Sequence, residues 1–219
     1  MVMNSPGAVP IPSRVLAITS PDVAAHRVDW NLNEQWAGFL QRHSQVGANL
    51  TNEVAQHGGI RRSYLKGLAN GDPEEFFYSV MAWGFGTGHV HYPAQVEMLA
   101  NPLPVTKIQA IISAVQAQGA AAGWDAMMRT SKIPGLGYGF GTKVLYFAGY
   151  GRVNNGPQPL ILDSKVSSSL ANVAGFKWNS SYDKKASDYM AYLNLAAQWA
   201  QDPTWQNGSE EAVEFALFS

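Results

Sequence analysis

The sequence predicts an all-α protein, and three observations carry that expectation. Apolar residues recur at helical spacing, as in Trp36, Phe39 and Leu40, or Ile108, Ile111, Ile112 and Val115; this is the period of one buried helix face. Helix-starting signals precede such runs, most clearly in Asp72-Pro73-Glu74-Glu75. There the aspartate caps, the proline fits the first turn, and the two acids suit the positive helix end. Strand signals are confined to "QPLILDSK", which is too short to found a sheet.

Taken in order, residues 1–20 are proline-rich and expected to be irregular. "DWNLNEQWAGFLQRHSQV" is helical by its spacing. "TNEVAQHGGIRRSYLKGLAN" reads as a short helix, a Gly-Gly break and another short helix. "DPEEFFYSVMAWGF" and "PVTKIQAIISAVQAQGA" are the two segments introduced above, and "GWDAMMRTSKI" is a short helix. A glycine-rich loop separates it from a helix beginning at "TKVLYFAGYG". "DSKVSSSLANVAG" is a helix capped by Asp163 or Ser164. "SYDKKASDYMAYLNLAAQWAQD" is long and amphipathic, and "SEEAVEFALF" is a terminal helix with an acidic first turn. The string GFGT occurs at 84–87 and 139–142 without any longer repeat around it.

A chain of 219 residues suits one domain or two small lobes, and its 46% hydrophobic content suits a globular core. No apolar run approaches the roughly 20 residues of a membrane span. The start, "MVMNSPGAVPIPSR", lacks the charged head and apolar centre of a signal peptide, so a cytoplasmic protein is expected. The absence of cysteine excludes disulfides, thiolate zinc sites and cysteine-ligated iron–sulfur clusters. The net charge of −1 conceals an asymmetry: −2 over 1–128, +6 over 129–185 and −5 over 186–219. The basic middle segment is either a footprint for a polyanion or is neutralised by the acidic tail folded alongside it. His89 and His91 form His-x-His. On a helix their side chains would diverge by about 200°, and no third ligand is evident, so a non-metal role is expected.

The most informative stretch is "GLGYGFGTKVLYF", residues 135–147. A phosphate loop needs Gly, four residues, then Gly-Lys-Ser/Thr; here the order is Gly141-Thr142-Lys143, and no glycine lies five positions earlier. A dinucleotide fingerprint fails as well, because no strand precedes the glycines. Two readings remain. The glycines only permit positive φ between two helices, or they form a helix–hairpin–helix. In that motif a glycine-rich hairpin points backbone N–H groups at a DNA phosphate, aided by the dipole of the second helix.

"GFGTKV", followed twenty residues after the lysine by the aspartate of "LILDSKV", resembles the helix–hairpin–helix glycosylase superfamily, in particular its 8-oxoguanine-glycosylase-like branch. The motif is strongest over 135–165, moderate at the tail "EFALFS" and weak before residue 75. The resemblance implies one domain over 1–219 in a two-lobed helical glycosylase fold, with the hairpin at about 129–150. It implies an enzyme that flips a modified base out of double-stranded DNA and excises it, leaving an abasic site, with AP lyase activity through a lysine Schiff base. Lys143 then corresponds to the nucleophile and Asp163 to the carboxylate that stabilises charge on the sugar. Gly137, Gly139, Gly141, Thr142 and Lys165 correspond to DNA phosphate contacts, and Glu214 and Phe218 to the base pocket. No cofactor is expected beyond a monovalent cation on the hairpin carbonyls, and a monomer is expected.

A lysine attacks only as the neutral amine. Desolvation and the positive helix end favour that form, and Asp163 opposes it. Taken singly, Lys143 is a solvated or phosphate-contacting lysine and Asp163 a helix cap; as a pair at this spacing they read as catalytic. Lys165 is the alternative nucleophile. Trp83, Phe85 and Tyr92 are candidates to stack on or wedge between bases, Trp83 more readily as core. Two features depart from the oxoguanine enzymes. The region "AWGFGTGHVHYP" has no Asn-Asn-x-x-x-Arg segment, and the pocket glutamine is replaced by Glu214. An ionised glutamate only accepts hydrogen bonds, which suits a base presenting an amino group. The substrate is therefore either an oxidised purine, in repair, or a hypermodified, glucosylated cytosine of phage DNA, in defence. In the second case the glycines at 84–88 would make room for the bulky base. A non-catalytic DNA-binding module is the alternative class.

Overall fold

The structure, a computed structural model, describes residues 9–153, 156–178, 184–205 and 208–219. In chain order the elements are α1 (Ser13–Leu16), α2 (Ser20–Ala25), β1 (Arg27–Val28), α3 (Glu34–Phe39), α4 (Ser44–His57), β2 (Ile60–Arg61) and α5 (Arg62–Leu68). Then come α6 (Pro73–Phe85), α7 (Pro93–Ala100), α8 (Val105–Gln118), and α9 (Ala120–Asp125) with a π-helical turn at Ala126–Thr130. The last four are α10 (Tyr138–Gly149), α11 (Ser164–Ala174), α12 (Ala186–Ala200) and α13 (Glu210–Phe218). The fold is all-α, as the periodicity predicts.

Local chemistry explains most helix starts. The Asp72 carboxylate accepts the Glu74 N–H at 3.0 Å, Asn33 accepts the Trp36 N–H at 3.0 Å, and the Ser209 hydroxyl accepts the Ala212 N–H at 3.1 Å. Such a cap contributes about 1 kcal/mol. Gly58, at φ +73, closes α4 in the left-handed conformation. The next residue, Gly59, lets two strands approach: a methyl group there would lie 2.9 Å from the Val28 carbonyl oxygen.

Three expectations change. The segment expected to be irregular contains α1 and the start of α2 within its described part; residues 1–8 lie outside the described residues, as do residues 181–183 at the expected start of the long helix. "QPLILDSK" forms no strand. Its backbone is held by side chains instead. The Thr142 hydroxyl accepts the Leu162 N–H at 2.9 Å, and the Tyr189 hydroxyl donates to the Leu160 carbonyl at 2.9 Å. Among the described residues the strands are β1 and β2, paired antiparallel with Arg27 opposite Arg61 and Val28 opposite Ile60. Finally, α10 begins at Tyr138, not at Thr142, so Gly139 and Gly141 lie inside its first turns.

Helix α10 organises the core. Every residue from Gly141 to Gly149 is buried, as expected for a helix apolar on all faces. It packs against α5, α6, α8 and α9, while α13 packs against α1, α2, α11 and α12. Gly141 and Gly123 allow close helix approach. A methyl group at Gly141 would lie 1.9 Å from the Met127 sulfur, and one at Gly123 would lie 2.7 Å from the Val115 Cβ.

Candidate active site

The first turn of α10 and the cap of α11 meet. Lys143 Nζ lies 2.8 Å from Asp163 Oδ2 and 3.5 Å from the Gly139 carbonyl. The other carboxylate oxygen, Oδ1, accepts the Lys165 and Val166 N–H groups at 3.1 Å each. Asp163 is thus both the helix cap and the partner of the lysine. Burial works to raise its carboxyl, but Lys143 and the two backbone N–H groups outweigh that and hold it below the ordinary carboxylate value. The lysine side chain is 7% exposed and the aspartate 16%, so the pair opens to solvent mainly through the carboxylate.

Aromatic rings cover the lysine. Phe140 stacks on Phe85 with centroids 4.3 Å apart, and its ring centre is 5.5 Å from Lys143 Nζ. A methyl group at Gly84 would lie 2.4 Å from Phe140 Cε1 and 3.2 Å from Lys143 Cδ. The space at Gly84 is therefore filled by Phe140, and Gly86 and Gly88 turn against Val28 and the Phe85 carbonyl. The room for a bulky base expected at 84–88 is absent, because the glycines serve close packing. Trp83 is buried in the core, whereas Tyr92 is 65% exposed.

The expected phosphate contacts divide. Gly137 is the exposed residue before α10, and the first backbone bond of the helix runs from Gly141 N–H to the Gly137 carbonyl. The N–H groups of the first turn lie ahead of that bond, as an anion site requires. Gly139 is among them and packs beside Asp163; a methyl group on it would lie 3.7 Å from the Asp163 Cβ. Gly141 and Thr142 are buried, one against Met127 and the other bonded to Leu162. Lys165 is exposed, with its ammonium 4.6 Å from the centre of the Phe218 ring. Gly135, at φ +85, turns the hairpin against Ala94, whose carbonyl oxygen would be 2.3 Å from any added methyl group.

A second polar cluster lies deeper, and the sequence carried no signal for most of it. Arg62 Nη1 is 2.6 Å from Glu214 Oε2 and 2.9 Å from the Tyr146 hydroxyl. Lys66 Nζ pairs with Glu211 at 2.8 Å, and the Tyr146 hydroxyl donates to that same carboxylate. Glu214, expected to face an extruded base, is fully buried behind Arg62. Burial raises its carboxyl and Arg62 opposes the rise. Burial pulls the Arg62 guanidinium down, yet Glu214 and Tyr146 outweigh it and hold it above the ordinary arginine value. Arg62 Nη2, Glu214 Oε1 and the Tyr192 hydroxyl are buried without a partner among the described residues. The tail acids Glu211 and Glu214 therefore neutralise α5, not the basic middle segment.

Phe218 stands between the two clusters, near Lys165 and with its ring 6.0 Å from that of His26. The rings of His89 and His91 lie 6.2 Å apart, and among the described residues no three His, Asp or Glu side chains are grouped to hold a metal ion. No helix of the described residues is long and apolar enough to cross a membrane.

The family model described as "Putative 8-oxoguanine DNA glycosylase OGG-like protein" matches residues 21–218, nearly the whole chain. The chain belongs to that family. No curated protein and no solved structure matches it.

Proposed function

From this family membership we propose that the protein excises a modified base from duplex DNA, with Lys143 and Asp163 as the reacting pair. The observation that carries the proposal is their 2.8 Å ion pair at the adjoining N-terminal ends of α10 and α11, next to a hairpin whose last glycine is exposed. The hairpin backbone and the dipole of α10 hold a phosphate, which brings the neighbouring sugar toward the pair. Bond cleavage leaves the glycosidic electron pair on the base nitrogen and positive charge on the sugar, which the Asp163 carboxylate stabilises. Lys143 supplies the proton that the departing base takes up. The neutral amine then bonds to C1′; one proton passes from its nitrogen to the ring oxygen as the C1′–O4′ bond breaks, which leaves the protonated Schiff base that permits strand nicking.

An oxidised purine is the substrate class nearest to the family description. A specific observation favours the second class. A cleft of about 370 Å³ is lined by Arg14, Ser164, Lys165, Ser168, Ser169, Phe218 and Ser219, of which Ser164 and Lys165 follow Asp163 in the chain. Hydroxyls, a guanidinium and a flat ring suit a polar substituent carried out of the duplex, as on a glucosylated hydroxymethylcytosine. In that case the activity serves defence against phage, not repair. The exposed Tyr92, at the N-terminal end of α7, is the candidate we assign to the gap left by an extruded base.

The decisive measurement is base release across duplexes containing oxidised, alkylated and hypermodified bases, with borohydride trapping alongside. Wild type is expected to release one class and to trap covalently, and Lys143→Gln to do neither. Trapping by Lys143→Gln equal to wild type would remove Lys143 as the nucleophile. Salt-dependent DNA binding without release of any base would favour a non-catalytic binding module.

A further inference from the structure

The β1–β2 ribbon has a consequence at its end. With Val28 opposite Ile60 and Arg27 opposite Arg61, the next antiparallel rung sets His26 beside Arg62. There Arg62 Nε–H donates to His26 Nδ1 at 3.0 Å. An acceptor at Nδ1 places the imidazole proton on Nε2. That Nε2–H meets no acceptor among the described residues. The ring is half-buried, and burial beside the Arg62 charge lowers its pKa to about 4. It is therefore a neutral donor with a fixed tautomer.

The surroundings say what this donor faces. The His26 ring lies 5.5 Å from Trp83, 5.0 Å from Phe215 and 6.0 Å from Phe218. Phe218 leads through Lys165 to Asp163. On the other side Trp83 precedes Gly84, which abuts the Lys143 side chain. His26 is thus joined to the Lys143–Asp163 pair along two lines of contact, one through Phe218 and Lys165 and one through Trp83 and Gly84. The rings beside His26 are flat and apolar, which suits a planar base better than a phosphate.

We propose that His26 is a specificity-determining residue whose Nε2–H donates to an acceptor atom of the extruded base, a carbonyl oxygen or an unprotonated ring nitrogen, and that Arg62 and Glu214 act behind it as positioning residues. This rests on the glycosylase reading above. It gives Glu214 a different task from reading the base: its charge holds Arg62, and Arg62 fixes the imidazole tautomer.

The test uses three duplexes: one with 8-oxoguanine opposite cytosine, one with glucosylated hydroxymethylcytosine opposite guanine, and one with a preformed abasic site. On whichever base wild type releases, His26→Leu is expected to lower kcat/KM at least 30-fold. His26→Gln, which keeps a donor, is expected to recover a third or more of the wild-type value. Both variants should trap on the abasic duplex within twofold of wild type, since no base remains to be read there. Base release by His26→Leu at the wild-type rate overturns the proposal and leaves the glycosylase reading intact. A parallel loss of release and trapping in both variants also overturns it, because His26 would then serve structure. Failure of wild type to release either base or to trap on the abasic duplex overturns the glycosylase reading and this proposal with it.

Discussion

Two buried ion pairs organise this molecule, and they are built for opposite ends. Lys143–Asp163 joins residues twenty apart in sequence at the edge of the core; Arg62–Glu214 joins residues 152 apart inside it. The first pair uses a cation that can lose its proton and a carboxylate steadied by two backbone N–H groups. The second uses a guanidinium that stays charged in proteins. It leaves Arg62 Nη2 and Glu214 Oε1 without partners. A lysine at the edge of the core is suited to chemistry, and an arginine inside it is suited to holding α5 against α13. On the proposed roles, what separates the two pairs is not charge burial but a group able to exchange a proton beside an opening to solvent.

The largest separation between the pairs should come from Lys143→Gln. Base release is expected to fall by about 10³-fold or more, with the urea midpoint little changed. A comparable loss of folding stability would make Lys143 part of the architecture and erase the distinction. Arg62→Met should do the reverse, costing roughly 3–5 kcal/mol in urea unfolding because it strands a buried carboxylate. Arg62→Met combined with Glu214→Leu should recover part of that loss, and strictly additive losses would mean the two residues are not coupled.

Asp163→Asn sharpens the comparison within one residue. Asparagine caps helices about as well as aspartate, so stability should change by less than about 1 kcal/mol. Base release should fall by roughly 10²-fold, because the charge that stabilises the sugar is gone. An equal effect on both readouts would make the cap the residue's whole task.

The smallest expected effect is in the pH dependence of stability. His26 has a folded-state pKa of about 4, below its ordinary 6.5. The unfolded chain therefore takes the proton first, and stability falls as pH drops from 6.5 toward 4. Asp163 has a depressed carboxyl, so its contribution is present above the ordinary 3.8 and is lost as pH falls below it. The difference in stability between wild type and His26→Leu should thus change with pH mainly between about 4 and 6.5 and be level on either side. A flat difference across that window would place His26 in ordinary solvent.

The family-matching part of the site was legible because it is local. The glycines, Thr142, Lys143 and the capping Asp163 lie within twenty-seven residues, from Gly137 to Asp163, and each has its own backbone reason for its place. Helix existence was legible for the same reason: caps and periodicity act over a turn or two. The start of α10 was misplaced because glycine reads as loop, although here Gly139 and Gly141 sit inside a helix so that Asp163 and Met127 can approach. The strand expected at "QPLILDSK" does not form because side chains of two helices, Thr142 and Tyr189, supply its backbone hydrogen bonds, which no strand periodicity announces.

By itself, then, the sequence determined an all-α fold, the lysine–aspartate pair and the glycines that allow it, because those depend on residues near one another in the chain. Only the tertiary structure decided that Glu214 pairs with Arg62, that Phe140 occupies the space at Gly84, and that His26 packs beside Phe215 and Phe218. Those placements depend on a two-residue ribbon and on the packing of α5, α10 and α13. Contacts across such distances leave no periodic trace in the order of the amino acids.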